Sequence, residues 1–141
     1  MQRNKFFAIF IHVIIPVLAG TGIYCFFRSK QMMVINFFPM LFSNMPLLNS
    51  PEWFKYNLPD ALWLYGLLSA MILIWDNKLT SQSFLWFGLV VCATLLSEIL
   101  QHYAVFPGTF DWKDLLSYGI SSLACIFHFT NKFRMMFPVK N

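Results

Sequence analysis

The chain has 141 residues, of which 58% are apolar and only 11% are charged. A soluble domain carries about 25% charged residues, so this chain could not cover a water-facing surface. The same composition excludes an intrinsically disordered chain, and an odd number of cysteines, three, does not suit a secreted disulfide scaffold. The composition therefore predicts an all-α integral membrane protein.

Ten Lys and Arg residues stand against six Asp and Glu residues, which gives a net charge of +4. The basic residues are scattered singly between apolar segments and form neither a run nor a basic helix face. We therefore expect no nucleic-acid partner, and we expect the basic residues to set orientation and to contact anionic lipid headgroups.

The first predicted span covers residues 6–27, a run without formal charge that has basic residues on both sides. A basic start followed by small residues also resembles a signal peptide, but the run exceeds the usual apolar region of about 7–15 residues. The sequence thus predicts an uncleaved first helix, with a kink at Pro16.

Residues 31–58 are predicted to form an irregular interfacial or re-entrant segment. Pro39, Pro46 and Pro51 interrupt this stretch, and each proline removes a backbone donor that lipid cannot replace. A fifth span over residues 31–51 is the alternative, because that stretch carries no charge.

Three more spans are predicted over residues of about 60–75, 81–103 and 112–130. The second opens at Pro59-Asp60, since proline and an acid both suit a first helical turn. A Pro-Gly pair separates the last two spans. The whole chain, 1–141, is thus predicted to be a single transmembrane domain, a four-helix transmembrane bundle.

Counting basic residues on alternate sides of four spans gives six against four, which favours both termini in the cytoplasm. On this topology most of the acids gather at the extracytoplasmic helix ends, together with an amide and an imidazole. The candidate ligand-binding residues are Asp60, Glu98, Gln101, His102, Asp111 and Asp114.

Glu98 is the most informative of these residues, because a carboxylate inside an apolar span is costly and usually has a partner. Glu98, Gln101 and His102 share one helix face at spacings i, i+3 and i+4. Asp111 and Asp114 begin the next helix, about ten residues further along, so the two groups should lie close together. This arrangement predicts a polar pocket at the outer headgroup level.

Structural roles are the alternative explanation of the same residues. Asp111 is placed like an N-cap and Asp114 like the N3 residue of the last helix. Glu98 could pair with Lys113 or Arg28 to tie the bundle together. Asp60 and His102 could serve only as a helix start and as an interfacial side chain.

Other chemistry has little support in the sequence. Neither a His-Glu-x-x-His motif nor a Gly-x-Ser-x-Gly motif is present, so we expect no metal and no cofactor, and no catalytic residue can be assigned. The stripe Ser117, Ser121 and Cys125 recurs every four residues in the last span, which predicts a helix-packing face.

Segments 97–103 and 106–116 resemble the VanZ-like family of small bacterial membrane proteins. The family has a Glu-x-x-Gln pair at the end of one helix and an Asp that opens the next, and Glu98, Gln101 and Asp114 match these positions. The stretch 58–65 is similar to the start of an earlier helix in the family.

The chain also departs from the family pattern at four positions. Thr109 or Phe110 stands in place of an Arg, Tyr118 in place of an Asn, and Ser121 in place of a Gly, and no His follows Asp60. The resemblance implies a bacterial inner (cytoplasmic) membrane location and a link to reduced susceptibility to teicoplanin.

The leading functional hypothesis is a cell-envelope binding or accessory protein whose pocket recognises a lipid or glycolipid headgroup, or a loop of a partner protein. One alternative is an enzyme that modifies a membrane lipid with Glu98 or His102 as the general base. Another is a small packing subunit that associates with a second copy or with another membrane protein. The predicted partners are therefore membrane lipids first.

Overall fold

The computed structural model describes residues 2–27, 50–76, 80–106 and 108–136, with side chains described from residue 5 to residue 129. Residues 31–49 of the predicted irregular segment lie outside these ranges. The alternative of a fifth span over 31–51 therefore falls outside the described residues as well. Within the described residues all regular structure is helical.

Four long helices form the described part of the chain. Helix α1 joins an α-helical stretch, a π-helical stretch and a second α-helical stretch without a break, and α2, α3 and α4 follow. Their bounds are Gln2–Ile9, Phe10–Ile14 and Ile15–Phe27 for α1, Glu52–Ile74 for α2, Ser81–His102 for α3 and Trp112–Met136 for α4.

Helices α1, α2 and α3 are each long and apolar enough to cross a membrane. The prediction of a helical membrane protein is confirmed to this extent. Helix α4 does not reach the same apolar content within the described residues.

The π-helical stretch of α1 lies immediately before Pro16. Proline has no N–H to donate to the carbonyl of residue i−4, here His12, and its ring crowds that carbonyl. The backbone N–H of Ile15 instead bonds to the carbonyl of Phe10, five residues back. The predicted disturbance at Pro16 thus takes the form of a widened turn inside a continuous helix.

Helix α2 begins at Glu52, earlier than the predicted start at Asp60, so residues 52–58 are helical rather than irregular. Pro51 is extended before the first turn, and Glu52 places a carboxylate at the positive helix end. Pro59 therefore lies inside the helix, where its side chain is fully buried.

Two glycines allow α1 and α2 to approach closely. A Cβ atom at Gly20 would lie 3.0 Å from the carbonyl oxygen of Pro59 and 2.9 Å from Nε1 of Trp63. One at Gly66 would lie 2.9 Å from Cγ2 of Val17. Small residues at such crossings let backbones pack together where lipid offers no hydrophobic driving force.

Helix α2 is the centre of the described fold. In its most apolar stretch 44% of the residues are buried, against 17% in α1 and in α3. Leu64, Leu68 and Ile72 of α2 form the core together with Phe87 of α3 and Phe129 of α4. Large apolar side chains cover the outside of the helices, as expected for surfaces that face lipid.

Thr80 caps the start of α3 through a reciprocal capping box. Its hydroxyl accepts a hydrogen bond from the Ser83 backbone N–H at 3.2 Å, and the Ser83 hydroxyl accepts one from the Thr80 N–H at 2.9 Å. This pair satisfies two of the unbonded donors at the helix start, which fixes the point at which the chain enters α3.

The glycine contacts give a test of the α1–α2 interface. We expect Gly20→Ala to lower the free energy of unfolding by about 1–3 kcal/mol, because the new methyl group meets the Pro59 backbone. Gly22→Ala is the matched control: its added methyl group meets no atom within 4 Å. It should be neutral or stabilising by up to about 1 kcal/mol, since alanine favours helix. Unfolding in detergent followed by circular dichroism measures both, and equal effects would contradict the close contact.

Candidate functional site

A cavity of about 510 Å³ lies where the start of α2, the end of α3 and the start of α4 meet. All three helices and the loop between α3 and α4 contribute polar side chains to its wall. The lining residues are Glu52, Tyr56, Asn57, Asp60, Ser97, Glu98, Gln101, Gly108, Thr109, Asp111, Asp114 and Tyr118.

Glu98 is the most deeply buried acid of the cavity, with 4% of its surface exposed. Its carboxylate lies beside the Tyr118 hydroxyl and the Asp111 backbone N–H. The oxygen Oε2 has no hydrogen-bond partner among the described residues. Glu98 also makes no ion pair with a described basic residue, so the pairing with Lys113 considered above does not form, while Arg28 lies outside the described residues.

Asn57 connects α2 to the two acids at the start of α4. Its Nδ2 donates to Oδ1 of Asp114 at 2.6 Å and to Oδ2 of Asp111 at 3.4 Å, and only 5% of Asn57 is exposed. Asp111 also caps α4, because its Oδ1 accepts from the Lys113 backbone N–H at 3.0 Å. One buried amide thus holds two like charges side by side.

The loop after α3 holds Gln101 in the wall of the cavity. The backbone N–H of Ala104 bonds to the Gln101 carbonyl at 3.0 Å, and that of Val105 to the Leu100 carbonyl at 2.9 Å. This pattern is a Schellman motif, in which Ala104 occupies the left-handed position with φ 55°. Gly108, with φ 142°, packs so closely that a Cβ there would lie 2.7 Å from the Gln101 side chain.

Five of the six residues predicted from the sequence line this one cavity, namely Asp60, Glu98, Gln101, Asp111 and Asp114. The exception is His102, which is exposed and whose ring contacts Tyr103 and Phe110 with centroid distances of 5.3 Å and 4.9 Å. His102 therefore does not line the cavity.

The predicted packing stripe contacts α2 within the same chain. The Ser121 hydroxyl donates to the Ala61 carbonyl at 2.8 Å, and the Cys125 sulfur lies 3.6 Å from the Ser69 hydroxyl oxygen. Ser117 is half-buried and bonds to the Asp114 carbonyl of its own helix.

Sequence reasoning missed several lining residues. Asn57 and Glu52 fell in the stretch assigned to an irregular segment, so no helix face was available to orient them. Tyr118 was noticed only as a departure from the VanZ-like pattern, yet its hydroxyl reaches Glu98. The helical spacing Glu52, Tyr56, Asp60 is a signal that could have revealed the α2 side of the cavity.

The lining residues make this cavity strongly acidic. Five of the chain's six acids line it, and none of the described lining residues is Lys or Arg. The described residues contain no group of three or more His, Cys, Asp or Glu side chains that could hold a metal ion. Chemically, the cavity offers carboxylate and amide acceptors, two phenols and the Gln101 amide.

Comparison of the chain with protein-family models, with curated proteins and with solved structures finds no match. The likeness to the VanZ-like family therefore depends on the short segments quoted above.

Asn57 gives a prediction about stability. Asn57→Leu should lower the free energy of unfolding by about 1–3 kcal/mol at neutral pH, because it leaves the two carboxylates without this donor. Asn57→Asp should lower the free energy of unfolding further than Asn57→Leu at neutral pH, since a third carboxyl joins Asp111 and Asp114. The folded variant then binds more protons than the unfolded one, so its deficit should shrink as the pH falls. Unfolding at pH 7 and pH 5 measures this, and a pH-independent deficit would contradict the contact.

The loop gives a pair of substitutions with opposite signs. Ala104→Gly should raise the free energy of unfolding by about 0.5–1 kcal/mol, because glycine adopts the left-handed conformation without strain. Gly108→Ala should lower it by about 1–3 kcal/mol, because the methyl group collides with Gln101 at a strained φ. Thermal unfolding in detergent tests both, and the same sign for the two variants would contradict the loop geometry.

Proposed function

We propose that this chain is a four-span membrane protein of the bacterial cell envelope, and that its acidic cavity binds the polar headgroup of a lipid or glycolipid. The observation that carries the proposal is Glu98, a buried carboxylate with an unbonded oxygen in a cavity shared by three helices. Charged groups inside membrane helices are costly and usually belong to functional sites.

A fourth span is supported by the way α4 distributes its side chains. Its polar residues Ser121, Ser122 and Cys125 are buried, whereas Ile120 and Phe127 are 67% and 70% exposed. Lipid would therefore meet an apolar outer face, while the small side chains of α4 pack inward. A helix of 25 residues is about 37 Å long, which is enough to cross the hydrocarbon core.

The position of the cavity along the bundle supports contact with headgroups. It lies at helix ends rather than halfway along the spans, and exposed aromatic residues surround that end of the bundle. Tyr and Trp concentrate at the membrane interface, where one side of the ring meets lipid and the other meets water. The exposed residues are Trp53, Tyr56, Tyr103 and Trp112.

The size of the cavity agrees with a small polar ligand. Ligand pockets have volumes of about 300–1,000 Å³, and this cavity has about 510 Å³. On the topology favoured by the basic residues, with both termini in the cytoplasm, the cavity opens in the outer leaflet. An accessory role in the envelope, like that of the VanZ-like family, is consistent with such a site.

The proposal predicts a retained lipid that depends on Glu98. The protein, gently solubilised from the membrane in which it is expressed, should carry lipid in native mass spectra, and Glu98→Gln should lower the retained fraction about ten-fold. Asp76→Asn is the matched control, because it removes a carboxylate charge from the opposite end of α2, where Asp76 pairs with Lys5.

Circular dichroism and thermal unfolding should show that both variants fold. Equal lipid retention by the wild-type protein and by Glu98→Gln would refute the proposal. Retention of a co-purifying polypeptide in place of lipid would instead identify the occupant as a loop of a partner protein.

A further inference from the structure

Glu98 leaves one hydrogen-bond acceptor open in the wall of the cavity. Its side chain lines the cavity, the residue is 4% exposed, and Oε2 has no hydrogen-bond partner among the described residues. The Tyr118 hydroxyl and the Asp111 N–H lie beside the same carboxylate. A buried acceptor without a donor costs free energy. A ligand that donates a hydrogen bond to Oε2 would remove that cost.

Gln101 brings a second unused polar group to the same wall. It lies three residues after Glu98 on the same face of α3, a spacing at which Cβ atoms are about 5–6 Å apart. Within the described part of the chain its side-chain amide makes no hydrogen bond, and Gly108 packs against it from the loop. An amide donates through Nε2 and accepts through Oε1. One ligand can therefore contact both side chains.

The acids at the start of α4 show that uncharged donors can bind the carboxylates of this cavity. Nδ2 of Asn57 donates to Asp114 at 2.6 Å and to Asp111 at 3.4 Å. The Lys113 backbone N–H donates to Oδ1 of Asp111 at 3.0 Å. A ligand hydroxyl is also an uncharged donor, so it can bind the open oxygen of Glu98 in the same way.

The two open groups differ in what they need from a ligand. Oε2 of Glu98 needs a donor, whereas Nε2 of Gln101 needs an acceptor. A hydroxyl both donates and accepts, while an ammonium group only donates and a phosphate diester only accepts. A phosphate bound to Gln101 would also lie one helical turn from the Glu98 carboxylate, where like charges repel.

From these contacts we infer that the cavity binds a pair of adjacent hydroxyl groups, such as those of a sugar or glycerol headgroup. One hydroxyl donates to Oε2 of Glu98, and its neighbour accepts from Nε2 of Gln101. This inference rests on the proposed function and specifies its ligand.

Further lining residues can bind the rest of such a headgroup. The Ser97 hydroxyl donates to the Thr94 carbonyl at 2.7 Å, which leaves its oxygen as an acceptor towards the cavity. Thr109 contributes another hydroxyl from the loop. Groups of this kind exchange hydrogen bonds with additional hydroxyls of a ligand.

The experiment compares two lipids that differ only in the hydroxyl pair. Phosphatidylglycerol carries two adjacent hydroxyls, and phosphatidylpropanol has the same phosphate and the same number of headgroup carbons without them. The protein is reconstituted in nanodiscs that contain both lipids with identical acyl chains, and native mass spectrometry reports which lipid is retained. We expect retention of phosphatidylglycerol to exceed that of phosphatidylpropanol about ten-fold or more.

Glu98→Gln should remove this preference. The Tyr118 hydroxyl and the Asp111 N–H favour the oxygen of the new amide, so its NH₂ group takes the place of Oε2 and the open acceptor becomes a donor. Asp76→Asn, at the opposite end of α2, is the matched control and should keep the preference.

Gln101→Met tests the second contact independently of Glu98. It removes the amide with little change in volume and should lower the preference about ten-fold. Gln82→Met is its control, because Gln82 is exposed in the first turn of α3, at the other end of that helix. Thermal unfolding confirms that each variant folds. An unchanged preference in folded Gln101→Met would overturn the inferred pair of contacts.

Further arms separate the ligand class from the proposed function. A glucosyl diacylglycerol or phosphatidylglycerol retained above phosphatidylethanolamine supports the inference and identifies a sugar or a glycerol as the source. Phosphatidylethanolamine retained above both would overturn it in favour of an amine. Equal retention of phosphatidylglycerol and phosphatidylpropanol, both lost in Glu98→Gln, would overturn the hydroxyl pair and leave the lipid site intact. Free methyl glucoside that competes as well as the lipid would support the hydroxyl class and overturn a lipid as its source. Lipid retention that is independent of Glu98 in every arm would overturn both proposals.

Discussion

The burial of Glu98 is the constraint that organises one end of this bundle. A carboxylate with 4% exposure needs donors inside the protein, and within the described residues the Tyr118 hydroxyl of α4 and the Asp111 N–H just before it lie beside Glu98. Tyr118 and the Asp111 N–H therefore fix how α4 meets α3. The sharp loop geometry around Gly108, which holds Gln101 in the same wall, follows from that requirement.

Along the interface between α2 and α4, buried polar groups likewise find partners inside the protein. The polar contacts Asn57–Asp114, Ser121–Ala61 and Cys125–Ser69 follow one another down the inner faces of the two helices. Apolar packing gives little driving force between helices in lipid, so these bonds and the close approach of small side chains hold the pair together. The inner face of α4 combines small polar side chains with the buried Tyr118, Cys125 and Phe129, and its outer face is apolar.

The class of the protein could be read from the sequence, because composition and the lengths of apolar runs depend on few assumptions. The meeting of Glu98, Gln101, Asp111 and Asp114 could also be predicted, since helix periodicity and a short loop bring them together. The α2 side of the cavity could not be predicted, because Pro59 was taken as a helix start, whereas it lies buried inside a longer helix. Asn57 and Glu52 belong to the added first turns of that helix, and this places them at the cavity.

The cavity also explains why most of the chain's few acidic residues lie at one end of the bundle. Glu52 and Asp111 lie at the starts of α2 and α4, where a negative charge is favourable. Asp60, Glu98 and Asp114 are additional, and in a chain with six acids they raise the repulsion at one point of the bundle. Stability alone favours replacing Glu98 with an uncharged residue that still bonds to Tyr118. An acid at that position is therefore best accounted for by the ligand site that we propose for the cavity.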